Sequence, residues 1–199
     1  QAAPADIRRL LLATGDEVPA LYQAADATRQ ATVGDAVHLR AIIEFSSYCH
    51  RNCSYCGLRA GNKQLARYRL SSEAIVAAAQ EADQLGYRTV VLQSGEDPTY
   101  TVDMLCDVVR QIRQHTRLAV TLTVSERPAD EYACMMQAGG KRYLLKHETA
   151  DAQLYARLHP GHLLSDRLAA LQSLRELGFQ VGSGFMVGLP GQSVDTLVA

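Results

Sequence analysis

Eight residues, "CHRNCSYC", carry three of the five cysteines in a chain of 199. Cys49, Cys53 and Cys56 stand with three and then two residues between them. Spacers this short make pairing among the three thiols strained, and an odd cysteine count argues against a disulfide framework. Clustered thiols usually hold a metal. Four readings compete. A structural zinc ion needs four ligands, as a rule in two pairs divided by a longer loop. With His50 adjacent to Cys49, zinc would have to recruit Cys106, Cys134 or His147 from far along the chain. A four-iron iron–sulfur cluster has four corners, so three thiolates would hold three irons and leave the fourth open to a small molecule. A reactive-thiol role gives no reason for three cysteines together. Three buried, apolar cysteines fit poorly in a loop that also carries His50, Arg51, Asn52 and Ser54.

The elements that must position these thiols alternate between strand and helix. Residues 1–36 read as a helical lead-in, with two short helices over 6–31 divided by "ATGDEVP". From 37 to 199, β-branched apolar runs at 37–45, 88–94, 118–124, 141–147 and 180–188 predict five strands. Helical periodicity lies between them at 72–85, 101–113, 129–138 and 165–177, the last with Leu168, Leu171, Leu174 and Leu177. Gly86, Gly139 and Gly178 stand where helices should stop, and Ser71, Ser165 and Ser193 at expected N-caps. Such alternation gives an α/β fold with a parallel sheet, which a (β/α) barrel or an open doubly wound sheet would satisfy equally. The cysteines follow the first strand at its C-terminal end, the side on which parallel α/β folds bind ligands.

Composition removes other functions. The chain is 47% apolar and 21% charged with a net charge of −1, so it has the make-up of a globular protein and lacks the basic footprint of a nucleic-acid binder. No apolar run approaches the roughly 20 residues of a membrane span, and no secretory leader pattern opens the sequence. The expectation is a cytoplasmic protein with neither nucleic acid nor membrane as partner.

The motif Cys49-x-x-x-Cys53-x-Tyr55-Cys56 resembles the cluster loop of the radical S-adenosylmethionine (SAM) enzymes, including the aromatic residue before the third cysteine. "IIEFSSYCHRNCSYCGLRAGN", "RYRLSSEAI", "VLQSGEDP", "RYLLKHETA" and "MVGLPGQ" are similar to the FeFe-hydrogenase maturase family HydE, with biotin synthase and methylornithine synthase as more distant relatives. The resemblance runs from about residue 20 to the end of the chain. It implies a partial (β/α) TIM-type barrel of about five parallel strands, truncated at the C-terminus, since full eight-stranded barrels take about 250 residues.

The same resemblance implies two cofactors. A 4Fe-4S cluster would sit on Cys49, Cys53 and Cys56, and SAM would bind its open iron and be cleaved reductively to methionine and a 5'-deoxyadenosyl radical. Tyr55, Gln93, Ser94, Gly95, Glu96, Glu148, Arg167 and Met186 are implied around SAM, and Thr121, which shares a face of the third strand with Thr123, and Lys146 toward substrate. Ser94-Gly95-Glu96 would hold the amino group of SAM through backbone atoms, and Glu148 its ribose or amino-acid portion. Arg167 falls in the first turn of the last long helix, where a cation is disfavoured without an anion. The SAM carboxylate would be that anion, with Asp166 as the competing partner. Lys146 departs from the arginine that related maturases carry, keeping the charge but losing planar bidentate recognition. Implied partners are a small-molecule or organometallic iron–cysteine substrate, other hydrogenase maturases and an electron donor. A biotin synthase-like enzyme such as methylornithine synthase, and a non-radical iron–sulfur or zinc protein, remain as alternatives. The cluster assignment is checked by iron and sulfide analysis after anaerobic reconstitution. Alanine at Cys49, Cys53 or Cys56 should abolish four-iron loading, whereas Cys106→Ala and Cys134→Ala should load like the parent.

Overall fold

The computed structural model of the chain describes residues 2–199. Five parallel strands, β1 (Ala41–Ser46), β2 (Thr89–Ser94), β3 (Ala119–Thr123), β4 (Arg142–Leu144) and β5 (Gln180–Gly182), form one sheet in the order β1-β2-β3-β4-β5. A doubly wound sheet reverses its strand order at a switch point. This one adds each strand on the same side of the last, which is the winding of a (β/α) barrel, here as an open sheet with β1 and β5 as its edges.

Between the strands lie α3 (Ser72–Gln84), α4 (Val102–His115), α5 (Ala129–Ala138), α6 (Ala152–Leu158) and α7 (Leu164–Glu176), while α1 (Pro4–Leu11) and α2 (Glu17–Val33) precede the sheet and α8 (Val194–Val198) follows it. Contact density separates a compact unit Leu39–Met186, which holds the whole sheet, from a second made of α1, α2 and α8. Among the described residues no helix is long and apolar enough to cross a membrane.

Right-handed crossovers in a sheet that grows in one direction put the crossover helices α3, α4, α5 and α7 on the same face. The core shows it: Ile43, Phe45, Val90, Leu92, Val120, Leu122 and Tyr143 share one face by strand alternation and register, and pack against Ile75, Leu105, Val109, Ile112, Tyr132, Met135 and Leu174 of the helices. The opposite face is mostly polar or exposed, with Glu44, Gln93, Thr121, Thr123 and Arg142 and with Ile42 at 60% exposure, while Val91 in its middle is buried.

Ser71 caps α3 by accepting from the amide of Ala74, and Ser193 caps α8 in a capping box with Thr196. Gly86, Gly139 and Gly178 all take positive φ just past helix ends, 111° at Gly139. Several boundaries differ from expectation. Residues 37–40 are exposed coil and β1 starts at Ala41. β4 stops at Leu144, four residues before the chain turns at Glu148, whose φ is 65°. β5 stops at Gly182, and beyond it only Phe185 bridges to Glu148. Ser165 is not a cap: α7 begins one residue before it and is flanked by Leu163 with no side-chain cap. α6 was not foreseen, its seven residues being too short for periodicity to stand out.

Asp97 ties the end of β1 to the turn after β2. It is 2% exposed and accepts from Ser46 Oγ at 2.6 Å, Arg69 Nε at 2.7 Å and the Thr99 amide at 3.1 Å. Arg69 in turn lies 3.7 Å over the ring of Tyr48. Burial pushes the Asp97 carboxyl up, but its hydrogen bonds from Arg69, Ser46 and Thr99 win and hold it at about 2. A depressed carboxyl stabilises the fold above its unfolded value of 3.8 and loses that contribution as pH falls toward about 2. Urea unfolding of the cluster-free chain should therefore show stability falling between these values, and Asp97→Asn should be less stable at neutral pH with that acid-dependent component removed.

Candidate active site

The loop that bears the cysteines leaves β1 at Ser46 and returns at Leu70, whose amide donates to Phe45 O at 2.8 Å. Arg67 folds it: its guanidinium donates to the carbonyls of Leu58 at 2.8 Å, Arg59 at 2.9 Å and Asn62 at 3.3 Å, and to that of Ser47. A cation bound by carbonyl oxygens keeps backbone groups satisfied where neither helix nor sheet does. Cys53 and Cys56 close a turn through the Cys56 amide and Cys53 O at 3.1 Å. Farther along, the Ser54 amide donates to Leu158 O at 2.9 Å, so the last turn of α6 props the middle of the loop.

All three thiols line one cavity of about 240 Å³ at the C-terminal end of the sheet. From β2 and the residues after it come Gln93, Ser94, Gly95 and Glu96; from β4 and its loop, Leu144, Lys146 and Glu148; from farther on, His159 and Arg167. Gly95 is there because nothing larger fits. A Cβ at that position would stand 2.1 Å from Tyr48 O and 2.8 Å from Cys49 Cβ, so bare backbone is what brings the β2 end against the first cysteine. Ser125 and Glu148 are the two non-glycine residues with positive φ among the described residues, at 68° and 65°, and both line the cavity. Left-handed backbone costs energy at such residues and collects at functional sites.

A chain of buried arginines and half-buried glutamates forms the floor. Arg51, between the first two cysteines and 7% exposed, pairs with Glu96 and donates from Nη2 to Glu126 Oε2 at 2.6 Å. Glu126 also receives Arg167, which donates from Nη1 to Lys146 O at 2.7 Å. Burial disfavours the charged form of Arg51, but Glu96 and Glu126 outweigh it and push its pKa up. The Glu126 carboxyl is likewise opposed by burial and held low by Arg167 and Arg51. Glu148 is pushed up by burial, with Lys146 and Arg167 only partly offsetting it.

The expected site residues come together with two exceptions. Tyr55, Gln93, Ser94, Gly95, Glu96, Lys146, Glu148 and Arg167 line the cavity with the cysteines. Thr121 shares a face of β3 with Thr123, but only Thr123, two residues nearer the C-terminal end, reaches the lining. Met186 lies outside it as well, its amide bound to Glu148 O at 2.9 Å. The protein partner of Arg167 is Glu126, not Asp166. Arg51, Ser125, Glu126 and His159 were missed. Their types are common in loops, and no spacing rule links residues 51 and 126.

Among the described residues no three His, Cys, Asp or Glu side chains converge as a single metal ion requires. The Cys53 thiol is pushed up first by burial and then by the charges of Cys49 and Cys56. Three thiolates around one cavity thus repel each other unless a larger cationic group sits between them. The donor set fits a polynuclear iron–sulfur cluster held by three corners.

The family model described as the radical SAM superfamily matches residues 43–199. The [FeFe] hydrogenase maturase subunit HydE of Thermotoga maritima is 51% identical over 179 residues, which are 90% of this chain and 51% of that protein. The 3-methylornithine synthase of Methanosarcina acetivorans is 27% identical over 201 residues, 100% of this chain and 57% of that protein. Among solved structures, methylornithine synthase (PylB) superposes with a TM-score of 0.93 at 27% identity over 100% of this chain and 59% of its own. The maturase HydG, with a TM-score of 0.89 at 24% identity over 99% of this chain and 45% of its own, shares the fold. The chain spans about half the length of the curated relatives it matches. Since a Cβ at Gly95 would collide with backbone rather than with a flexible side chain, Gly95→Ala should force the cysteine loop away from β2. Iron content after reconstitution should drop by more than half, while far-UV circular dichroism stays that of the parent.

Proposed function

The chain belongs to the radical SAM superfamily, and from that premise we propose that it holds a 4Fe-4S cluster on Cys49, Cys53 and Cys56 and binds SAM in the adjoining cavity. The observation that carries the proposal is the convergence, in one cavity, of three thiols with Gly95, Glu148 and Arg167 from three later segments. A module that used a cluster only for structure or electron transfer would have no use for that second set. A cluster held by Cys49, Cys53 and Cys56 would supply the single electron for reductive cleavage of SAM.

The protein's own part is binding and orientation. Gly95 lets the β2 end approach with its backbone groups bare, which suits the amino group of SAM. Arg167 offers a guanidinium for the carboxylate, already oriented by Glu126 and Lys146 O. Glu148 is aimed by its left-handed backbone and by two main-chain bonds, its amide to Gly184 O at 3.0 Å and its carbonyl from the Met186 amide at 2.9 Å. With its backbone fixed in that way, and its carboxyl also met by the Tyr55 hydroxyl, Glu148 is placed to accept from ribose hydroxyls. Thr123, Thr121 and Lys146 face the side on which a substrate would lie.

The reaction proposed beyond SAM cleavage is that of the HydE branch, in the maturation of the FeFe-hydrogenase active-site cluster on a small or organometallic iron–cysteine substrate. It is supported by the 51% identity to the Thermotoga maritima maturase subunit. An electron donor and further maturases are the proposed partners. Anaerobically reconstituted protein, once reduced, should change its EPR signal on addition of SAM and form 5'-deoxyadenosine; an unchanged signal would sink the proposal. Charge-assisted hydrogen bonds are worth about 1.5–3 kcal/mol each, so Glu148→Ala and Arg167→Ala should each weaken SAM binding by about tenfold or more while still loading iron. SAM titrations equal to the parent's for both would show that these residues are misassigned.

A further inference from the structure

Tyr55 precedes the third cysteine and is 41% exposed, yet lines the cavity. An aromatic ring on an exposed loop is free to change rotamer unless something holds it. Two groups meet its hydroxyl: the Glu148 carboxyl across the cavity, and His159, 1% exposed at the C-terminal end of α6, with Tyr55 Oη 2.9 Å from its Nε2.

The direction of that hydrogen bond follows from the other ring nitrogen. His159 Nδ1 is 3.2 Å from the carbonyl oxygen of Tyr155, which can only accept, so Nδ1 carries the proton. Nε2 of the neutral ring is then a bare acceptor, and the phenol of Tyr55 is the donor. Burial keeps the ring neutral by pushing its pKa down to about 4. Stacking on Tyr155, with centroids 4.1 Å apart and planes 20° from parallel, and the edge-on contact with Tyr55 at 5.4 Å hold the plane of the imidazole, while its two hydrogen bonds select which way round it sits. A second tie lies next to it, the Ser54 amide on Leu158 O at 2.9 Å. α6 therefore grips two consecutive residues of the cysteine loop, one through backbone and one through a side chain.

We propose that His159 is the positioning residue for Tyr55: its Nδ1–H tautomer, set by Tyr155 O, accepts the Tyr55 hydroxyl and fixes the ring as a wall of the SAM cavity. The proposal rests on the reading of that cavity as a SAM site. His159 is no cluster ligand, and although it lines the cavity its assigned role is indirect. It acts through Tyr55, by sparing SAM the cost of ordering the ring on binding.

The test uses the chain with Tyr55→Phe, His159→Phe, His159→Gln and the double Tyr55→Phe/His159→Phe variant. In the cluster-free parent, 15N–1H correlation of the histidine rings should show His159 neutral at pH 7 with the proton on Nδ1. After reconstitution, His159→Phe and Tyr55→Phe should each weaken SAM binding about tenfold with iron and sulfide content unchanged. Glutamine, whose carbonyl can accept from the phenol, should recover binding to within about threefold of the parent. The double variant should be no worse than either single one, as expected for one shared interaction. A proton on Nε2, SAM binding in His159→Phe equal to the parent's, or losses that add in the double variant would overturn the proposal. Iron loss in both His159 variants would mark a merely structural residue and overturn it too. A parent that loads iron but binds no SAM overturns the functional reading itself, whereas a parent that binds SAM beside an unaffected His159→Phe overturns this inference alone.

Discussion

The site depends on a row of four charges that alternate in sign, Glu96, Arg51, Glu126 and Arg167, the two arginines buried and the two glutamates half-buried. Each comes from the C-terminal side of a successive strand: Arg51 after β1, Glu96 after β2, Glu126 after β3, and Arg167 from α7 after β4. Burying any one alone would cost several kcal/mol, and removing one partner leaves another uncompensated. The row is therefore a constraint on four loops at once. It fixes where the cysteine loop sits, since Arg51 is inside it, and which way Arg167 points, since Glu126 and Lys146 O hold its two ends.

Around that row, backbone geometry supplies what side chains cannot. The parallel sheet delivers every strand's C-terminal end to one side, and the glycine at the end of β2 lets two loops touch where a methyl group would collide. Ser125 and Glu148 accept left-handed backbone, which turns the chain sharply after β3 and β4 and aims Glu126 and Glu148 inward. The strain at those two residues is tolerated because the strands behind them are anchored in the apolar face of the sheet, where Leu122, Val124, Tyr143 and Leu145 are each 3% exposed or less.

The two faces of the sheet divide stability from chemistry. Helices cover the face of Ile43, Leu92, Leu122 and Tyr143, whose burial is the driving force for folding. The other face carries Glu44, Gln93, Thr123 and Arg142, with Gln93 Nε2 donating to Glu44 Oε1 at 2.8 Å across neighbouring strands. Polar residues on that face cost the core nothing because they are not part of it, and they leave a surface able to recognise a polar ligand.

The thiol motif, the alternation of strand and helix, the caps at Ser71 and Ser193 and the helix-ending glycines were all legible in the sequence. These are local properties, set by spacing, periodicity and backbone freedom over a few residues. Most of the residues named for the site by family resemblance also meet in the cavity, because motif positions at strand ends are carried to one side by a parallel sheet. The shortening of β4 and β5, the partner of Arg167, the placement of Thr123 instead of Thr121, and the roles of Arg51, Glu126 and His159 were not legible. Apart from Thr123, which lies two residues nearer the end of its strand, these are decided by contacts between residues 37 or more apart, as Glu148 with Phe185 (37), Arg167 with Glu126 (41), Arg51 with Glu126 (75) and Tyr55 with His159 (104) are. A local pattern sets which way a residue faces within its own element. Only the folded chain brings the far partner to it, and the free energy of burying a charge or a phenol is decided by whether that partner is there.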